Sequence, residues 1–269
     1  MNLFASDFDG TFCKHSREGI QQIPANKEAV KRWKEAGHSF IFATGRAIPF
    51  MTYETTRYGL DYDYIVGLNG AVVMTKENEI IYQATIKKGI AAEIISYIVK
   101  ENYFCFMVSD GFTGPVNMSP NETERFKKMV ESFYDDGLFN LPLTESLKRP
   151  VSQISIMGLT QESARQLAIS LEEFFGNEVL VYPNTRSVDI SPKGTSKALG
   201  IQHLINHLNT SPNEIYCIGD SWNDVEMLET FTGFSMTESP YEIKSISKKT
   251  FNTVEEAIDW SLSQSPRRS

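Results

Sequence analysis

Cysteine is scarce: Cys13, Cys105 and Cys217 are the only three in 269 residues, odd in number, far apart and in no CxxC pair. That excludes a disulfide framework and a cysteine-built metal knuckle, and leaves the three thiols as expected packing residues. Long hydrophobic runs are missing as well. The longest, YIVGL and SFIFAT, fall far below the roughly 18 residues of a membrane span, and Asp7 arrives too early for a secretory leader. The expected setting is cytoplasmic, with no membrane partner. Positive charge is in deficit, 26 Lys and Arg against 34 Asp and Glu, for a formal net charge of −8. Nucleic-acid binding draws on clustered cations facing phosphates, so no nucleic-acid partner is expected, and the terminal PRRS is too short to alter that. Repeats, low-complexity tracts and long linkers are also absent.

What is present reads as an α/β chain. Hydrophobic residues at 41% and charged residues at 22% provide an ample core, and the length suits two domains. NLFAS is a candidate buried strand. PANKEAVKRWKEAG carries Pro24 at a helix start, Ala29, Val30 and Trp33 at helical spacing, and Gly37 as the stop. HSFIFAT, a helix over 47–58, the strand DYIVGL and a hairpin turning on Lys76–Glu79 follow. Strands alternating with helices imply a Rossmann-like, mostly parallel sheet covered on both faces, which explains why its strands are continuously apolar. The pattern returns near the C-terminus in TSKALGIQHLINHL, EIYCIG, SWNDVEMLETF and TVEEAIDWSL, the last with Thr253 and Glu256 as a capping box. Between the two halves lie the helices GIAAEIISYIVKEN and TQESARQLAISLEEFFG and the strands YFCFMVS, SQISIMGL and EVLVYP. The expected organisation is a core of 1–84 plus 187–269 with an inserted α+β domain at 85–186.

In an open parallel sheet, ligands bind beyond the carboxyl ends of the strands. Four polar residues follow such ends: Asp7, Thr44, Asn69 and Asp220. Asp7, Asp9 and Asp220 would then crowd negative charge, which is costly unless a cation or a close lysine answers it. Hard oxygen ligands of this kind suit Mg²⁺.

The motifs DFDGT, ATGR, GTSK and GDSWND, in that order, resemble the four motifs of haloacid dehalogenase superfamily phosphohydrolases. GLNGA, DISPKGTSK and an insertion between the second and third motifs resemble the Cof-type, class IIB branch, with its inserted cap. The resemblance implies a phosphatase acting on small phosphorylated metabolites, sugar phosphates first, through an aspartyl-phosphate. It implies Asp7 as nucleophile and Asp9 as acid and then base. Thr44 would bind a phosphoryl oxygen and Lys197 would neutralise Asp7 and the transferring group. Mg²⁺ would take the Asp7 carboxylate, the Asp9 carbonyl and Asp220, with Asp224 in the outer shell or positioning Lys197. Gly45, Arg46, Asn69 and Asn223 are the substrate-binding candidates. The expected assembly is a monomer or weak homodimer.

Other readings stand beside these. A calcium loop would span Asp7 to Glu18, but Phe12 holds its sixth position, where glycine is required, and a strand rather than a helix precedes it. Lys193 competes with Lys197, and GTSK at a helix start favours Lys197. Arg46 and Asn69 either touch substrate or cap the adjoining turns. His203 and His207 lie four apart on a helix but lack a third ligand, and His15 and His38 have no expected role. A phosphosugar mutase would share the motifs, as would a phospho-ligand-binding regulator, although a pure binder has no need of Asp9.

Overall fold

The computed structural model of the chain describes residues 1–14, 16, 20–103, 105–112, 116–117, 147–184, 186–209 and 214–264. His15, Glu18, Thr185 and most of the stretch after Gly111 up to Leu147 lie outside the described residues.

The first sheet has eight strands in the order β13-β12-β11-β1-β2-β3-β4-β5. These are β1 (Leu3–Ser6), β2 (Ser39–Ala43), β3 (Tyr64–Gly67), β4 (Val72–Thr75), β5 (Ile80–Gln83), β11 (Ile215–Gly219), β12 (Thr232–Met236) and β13 (Lys249–Phe251). From β13 to β3 every pairing is parallel, and β3 to β4 is antiparallel, as expected for a doubly covered sheet ending in a hairpin. Helices α1 (Ile23–Glu35), α2 (Ile48–Tyr58), α5 (Lys197–Leu208), α6 (Val225–Thr230), α7 (Tyr241–Ile246) and α8 (Val254–Gln264) alternate with these strands. Helix α1 begins with Pro24 in its first turn and buries Ala29, Val30 and Trp33 at helical spacing. The hairpin turns through Asn78 at φ 68°, with the Thr75 N–H donating to the Glu79 carbonyl. SWNDVEMLETF is not one helix: a short 3₁₀ turn over Trp222–Asp224 precedes α6, because the Asp224 side chain is drawn back to cap the turn. At α8, Thr253 caps the Glu256 N–H, but the Glu256 carboxylate accepts from Asn252 rather than completing the box with Thr253.

Met1–Gly45, Glu54–Tyr82 and Ser196–Ser269 form one compact unit, and Arg46–Tyr53 with Gln83–Thr195 form another. The second has a five-stranded sheet in the order β7-β6-β8-β10-β9. Its strands are β6 (Phe106–Ser109), β7 (Val116–Asn117), β8 (Gln153–Ile156), β9 (Val179–Pro183) and β10 (Val188–Pro192). Helices α3 (Lys88–Lys100) and α4 (Gln161–Phe175) bury Ile94, Ile98, Leu167 and Leu171 in one apolar cluster with Phe106, Ile154 and Val188. Strand β10 lies beyond the expected junction near Ser187 and pairs with β8 and β9, so this sheet runs on to Pro192. Asp189 and Pro192 are poor strand formers, which hid β10 from the sequence pattern.

Candidate active site

Residues just past the strand ends build the site. After β1 the chain alternates: Phe8 and Phe12 turn down against Phe42, with ring centroids 5.7 and 5.0 Å away, and so anchor the loop that carries Asp7 and Asp9. The fully buried Asn26 donates to the Phe12 carbonyl and accepts from the Glu255 N–H, tying that loop to α1 and the start of α8. Asp7 is 4% exposed, and its N–H donates to the Ile218 carbonyl of β11. Gly10, at φ +85°, leaves room for Asp220, whose Oδ2 would lie 2.6 Å from any Cβ at that position. The Thr11 hydroxyl then donates to Asp220 Oδ1 at 2.9 Å.

At the centre lies Lys197, the first residue of α5, wholly buried, with Nζ 2.6 Å from Asp7 Oδ1 and 2.6 Å from Asp224 Oδ1. Ser196 caps that helix by accepting from the Leu199 N–H at 3.2 Å. Asp224 is fully occupied, since its Oδ2 accepts the backbone N–H groups of Asp220 and Ser221, both at 3.0 Å. Burial works to lower the Lys197 ammonium, but Asp224 and Asp7 outweigh it and hold its pKa above the ordinary lysine value. Asp7 is pushed well above the usual carboxylate range, first by burial and then by Asp224, Asp220 and Asp9, with Lys197 opposing. Burial and Asp224 raise Asp220 as well. Asp7, Asp220 and Asp224 each offer an oxygen within 4.8 Å of the others, the group among the described residues able to hold a metal ion. The donor set fits a hard divalent cation, because the carboxylates outnumber the one buried ammonium and a second cation would relieve Asp7 and Asp220. Asp224 fits a direct ligand role less well, as both its oxygens already accept hydrogen bonds.

A family model for haloacid dehalogenase-like hydrolases matches residues 4–258. The chain belongs to this family. Phosphatase YwpJ of Bacillus subtilis is 25% identical over 272 residues, covering 91% of this chain and 93% of that protein. A HAD/COF-like hydrolase from Plasmodium vivax superposes with a TM-score of 0.83 at 20% identity, over 98% of this chain and 96% of the other. The HAD subclass IIB sugar phosphatase BT4131 gives 0.74 at 21% identity, over 96% and 95%. The fold is therefore that of the Cof-type, subclass IIB hydrolases.

In this haloacid dehalogenase-like hydrolase the expected residues fall into three groups. Asp7, Lys197, Asp220 and Asp224 form one cluster of carboxylates and ammonium. Beside it, Asn223 Nδ2 donates to Asn69 Oδ1 at 3.0 Å, and Asn69 Oδ1 would lie 3.3 Å from a Cβ on Gly45. The Asn69 N–H donates to the Thr44 carbonyl at 3.0 Å, and Asn69 itself adopts φ 52°. Arg46 opens the segment Arg46–Tyr53 of the second unit. Asp9 supplies no carboxylate to the metal-binding group, and its backbone forms a bridge with Cys13. Lys193 is exposed and donates to the Gly176 carbonyl. His203 stacks on Tyr82 with ring centroids 3.6 Å apart. Thr11, Ser196 and Ser221 were not among the sequence candidates, although the hydroxyls in DGT, GTSK and GDS sit directly beside the charged residues they orient.

Gly70 decides where Lys197 sits. At φ +92° its Cβ would lie 1.9 Å from the Ser196 carbonyl oxygen, so Gly70→Ala must displace the cap that carries Lys197. We expect it to lose about 3 kcal/mol of stability in a denaturant melt. Gly194→Ala, at φ +75° with nothing within 4 Å, should lose only about 1 kcal/mol of backbone strain. Equal losses would mean that the contact with Ser196 is relieved freely.

Proposed function

We propose that the chain is a Mg²⁺-dependent phosphatase that releases phosphate from small phosphorylated metabolites, sugar phosphates first, through an aspartyl-phosphate on Asp7. Its coarser part, a phosphoric monoester hydrolase, is supported by the family match and by relatives named as phosphatases. The observation that carries the reading is the buried lysine held 2.6 Å from both Asp7 and Asp224, with Asp220 beside them. The subclass IIB sugar phosphatase of the same fold supports the substrate class.

Asp7 Oδ attacks phosphorus as the ester oxygen leaves, and Asp9 protonates that oxygen. Asp9, now a carboxylate, takes a proton from the water that attacks the acyl-phosphate, returning Asp7. Lys197 stabilises charge on Asp7 and on the transferring group throughout. Thr44 and the backbone amides after Asp7 hydrogen-bond the phosphoryl oxygens, and Asn69 and Asn223 hold one another in place near them. Mg²⁺ would be held by Asp7, Asp220 and the Asp9 carbonyl, and would supply charge neutralisation during transfer. Asp224 keeps Lys197 and the Asp220 backbone in position.

The test is phosphate release from sugar phosphates, nucleotides and p-nitrophenyl phosphate with Mg²⁺ or with EDTA. Release should need the metal, and Asp9→Asn should lower kcat by about 100-fold or more, the usual range for a lost general acid. Undiminished release in EDTA would remove the metal from the mechanism, and isomer formation without release would favour a mutase.

A further inference from the structure

Asp7 and Asp220 follow the carboxyl ends of β1 and β11, whereas Thr232 opens β12 and Lys248 immediately precedes β13, at the amino ends of these parallel strands. A cavity of about 500 Å³ lies there, open to solvent and entirely within the first unit. Small-molecule sites usually measure roughly 300–1,000 Å³. Gly233 lets the last turn of α6 rest on β12, since a Cβ there would lie 2.2 Å from the Leu228 carbonyl oxygen. The Lys248 N–H donates to the Gly233 carbonyl at 2.8 Å and so holds the end of α7 beside the same strand. The cavity is the space left between the ends of the two helices.

Its walls carry groups of three kinds. Leu228, Phe231 and Ile246 give an apolar side. The Thr232 hydroxyl donates to the Glu214 carboxylate and the Ser247 hydroxyl to the Ile243 carbonyl at 2.8 Å, so each has committed its one proton and can only accept from a ligand. The last carbonyls of α6 and α7 are acceptors too, because a helix supplies no partner for its final turn. Glu229 adds a carboxylate and Lys248 an ammonium, and neither forms an ion pair with the other or with any other described residue. The Nζ atoms of Lys248 and its neighbour Lys249 stand instead 6.0 and 5.5 Å from the centre of the Trp260 ring. The cavity therefore offers unpaired charge of both signs beside an apolar wall. An anion alone would face Glu229 and the helix-end carbonyls, a cation alone would face Lys248, and a neutral polyol would leave both charges unanswered.

We propose that this cavity binds a free α-amino acid with an apolar side chain. The carboxylate of the ligand meets Lys248, its ammonium donates to Glu229 and the acceptor oxygens beside it, and its side chain covers Leu228, Phe231 and Ile246. A zwitterion answers both charges at once, and its ammonium brings the donors that the committed hydroxyls and carbonyls lack. The site stands at the opposite end of the strands from Asp7 and Asp220, so its ligand is a second molecule rather than the substrate. It holds whether or not the chain is a phosphatase.

The experiment is calorimetric titration and thermal melting of the full chain in EDTA with L-leucine and L-phenylalanine, with the amide of each, which lacks the carboxylate, and with 4-methylpentanoate and 3-phenylpropanoate, which lack the ammonium. At least one amino acid should bind wild type with a Kd of about 1 mM or tighter and raise its melting temperature. Its amide and its deaminated acid should each bind about tenfold more weakly or worse, the scale of one charge-assisted hydrogen bond. Glu229→Gln should weaken the amino acid about tenfold and leave the deaminated acid unchanged, whereas Lys248→Met should weaken the amino acid equally and leave the amide unchanged. Both side chains are exposed, so without ligand each variant should melt within about 2 °C of wild type. Wild type that binds neither amino acid, or binding that survives both substitutions, would overturn the proposal. An amide or deaminated acid that binds as tightly as its parent would overturn it as well, because one of the two charges would then be idle. Absence of phosphate release from every ester would bear on the phosphatase reading alone, since the titration needs no turnover.

Discussion

Asp7→Asn is expected to lower phosphate release by at least about 10⁴-fold, the scale of losing a covalent nucleophile, while leaving the fold as stable as before or more so. Asparagine keeps the shape of the side chain and can still accept from Lys197 through its carbonyl oxygen. It cannot open and re-form an acyl-phosphate. The stability side follows from the environment of Asp7. Burial first, then Asp224, Asp220 and Asp9, raise its pKa well above the ordinary value despite Lys197. A carboxyl whose folded pKa lies above its unfolded one favours the fold only while protonated, and that contribution is lost as pH rises through the folded pKa. At neutral pH, above the ordinary carboxylate range, the buried Asp7 carboxyl therefore weighs against folding, and a neutral amide removes that burden. Phosphate release and a thermal melt in EDTA check the two halves together. A variant with a higher melting temperature and no turnover carries the signature of a group kept for chemistry. Retained turnover would move the nucleophile to another residue, and a large fall in melting temperature would show that Asp7 is mainly Lys197's structural partner.

Much of this arrangement was legible before any coordinates because it depends on local rules. The continuous apolar runs before Asp7, Thr44 and Asp220 marked buried parallel strands, and the position of each polar residue just past its run placed it at the ligand-binding edge. What escaped depended on partners distant in sequence. β12, TGFSM, begins with a threonine and a glycine and is held by parallel pairing with β11 from Tyr216 to Gly219, which no local window registers. β10 falls within the DISPKGTSK motif, and only its pairing with β8 and β9 makes it a strand. Asp224 is the instructive site residue. GDSWND gave it two possible roles, and only the arrival of Lys197 from 27 positions away, with two backbone donors on the other oxygen, shows how its hydrogen bonds are committed. On the five-stranded sheet, Gln153 and Ser155 alternate with apolar residues like any half-exposed strand, and their burial is a tertiary fact.

Lys197→Met should be the most damaging single change to the fold at this site and should lower turnover by about 10³-fold. The ammonium is wholly buried and is the cation 2.6 Å from each of Asp7 and Asp224. Methionine fills much of the same volume, so the loss is electrostatic: two buried carboxylates are left facing each other. Removing one partner from a buried ionic arrangement costs about 3–5 kcal/mol, and for a chain of this size each kcal/mol lowers the melting temperature by roughly 3 °C, so a fall of about 10 °C is expected in EDTA. The double variant Lys197→Met with Asp224→Asn separates stability from catalysis. Asparagine at 224 can still accept from the Asp220 and Ser221 N–H groups through its carbonyl oxygen, and one of the two uncompensated charges is gone, so roughly half of the lost stability should return. Turnover should not return, because no cation then faces Asp7 Oδ1 from within the protein. A double variant no more stable than the single one would show that Asp224 holds the turn by its charge rather than by its hydrogen bonds. One that regains turnover would make the lysine a structural counter-ion and leave the stabilisation of the transferring phosphoryl group to the metal.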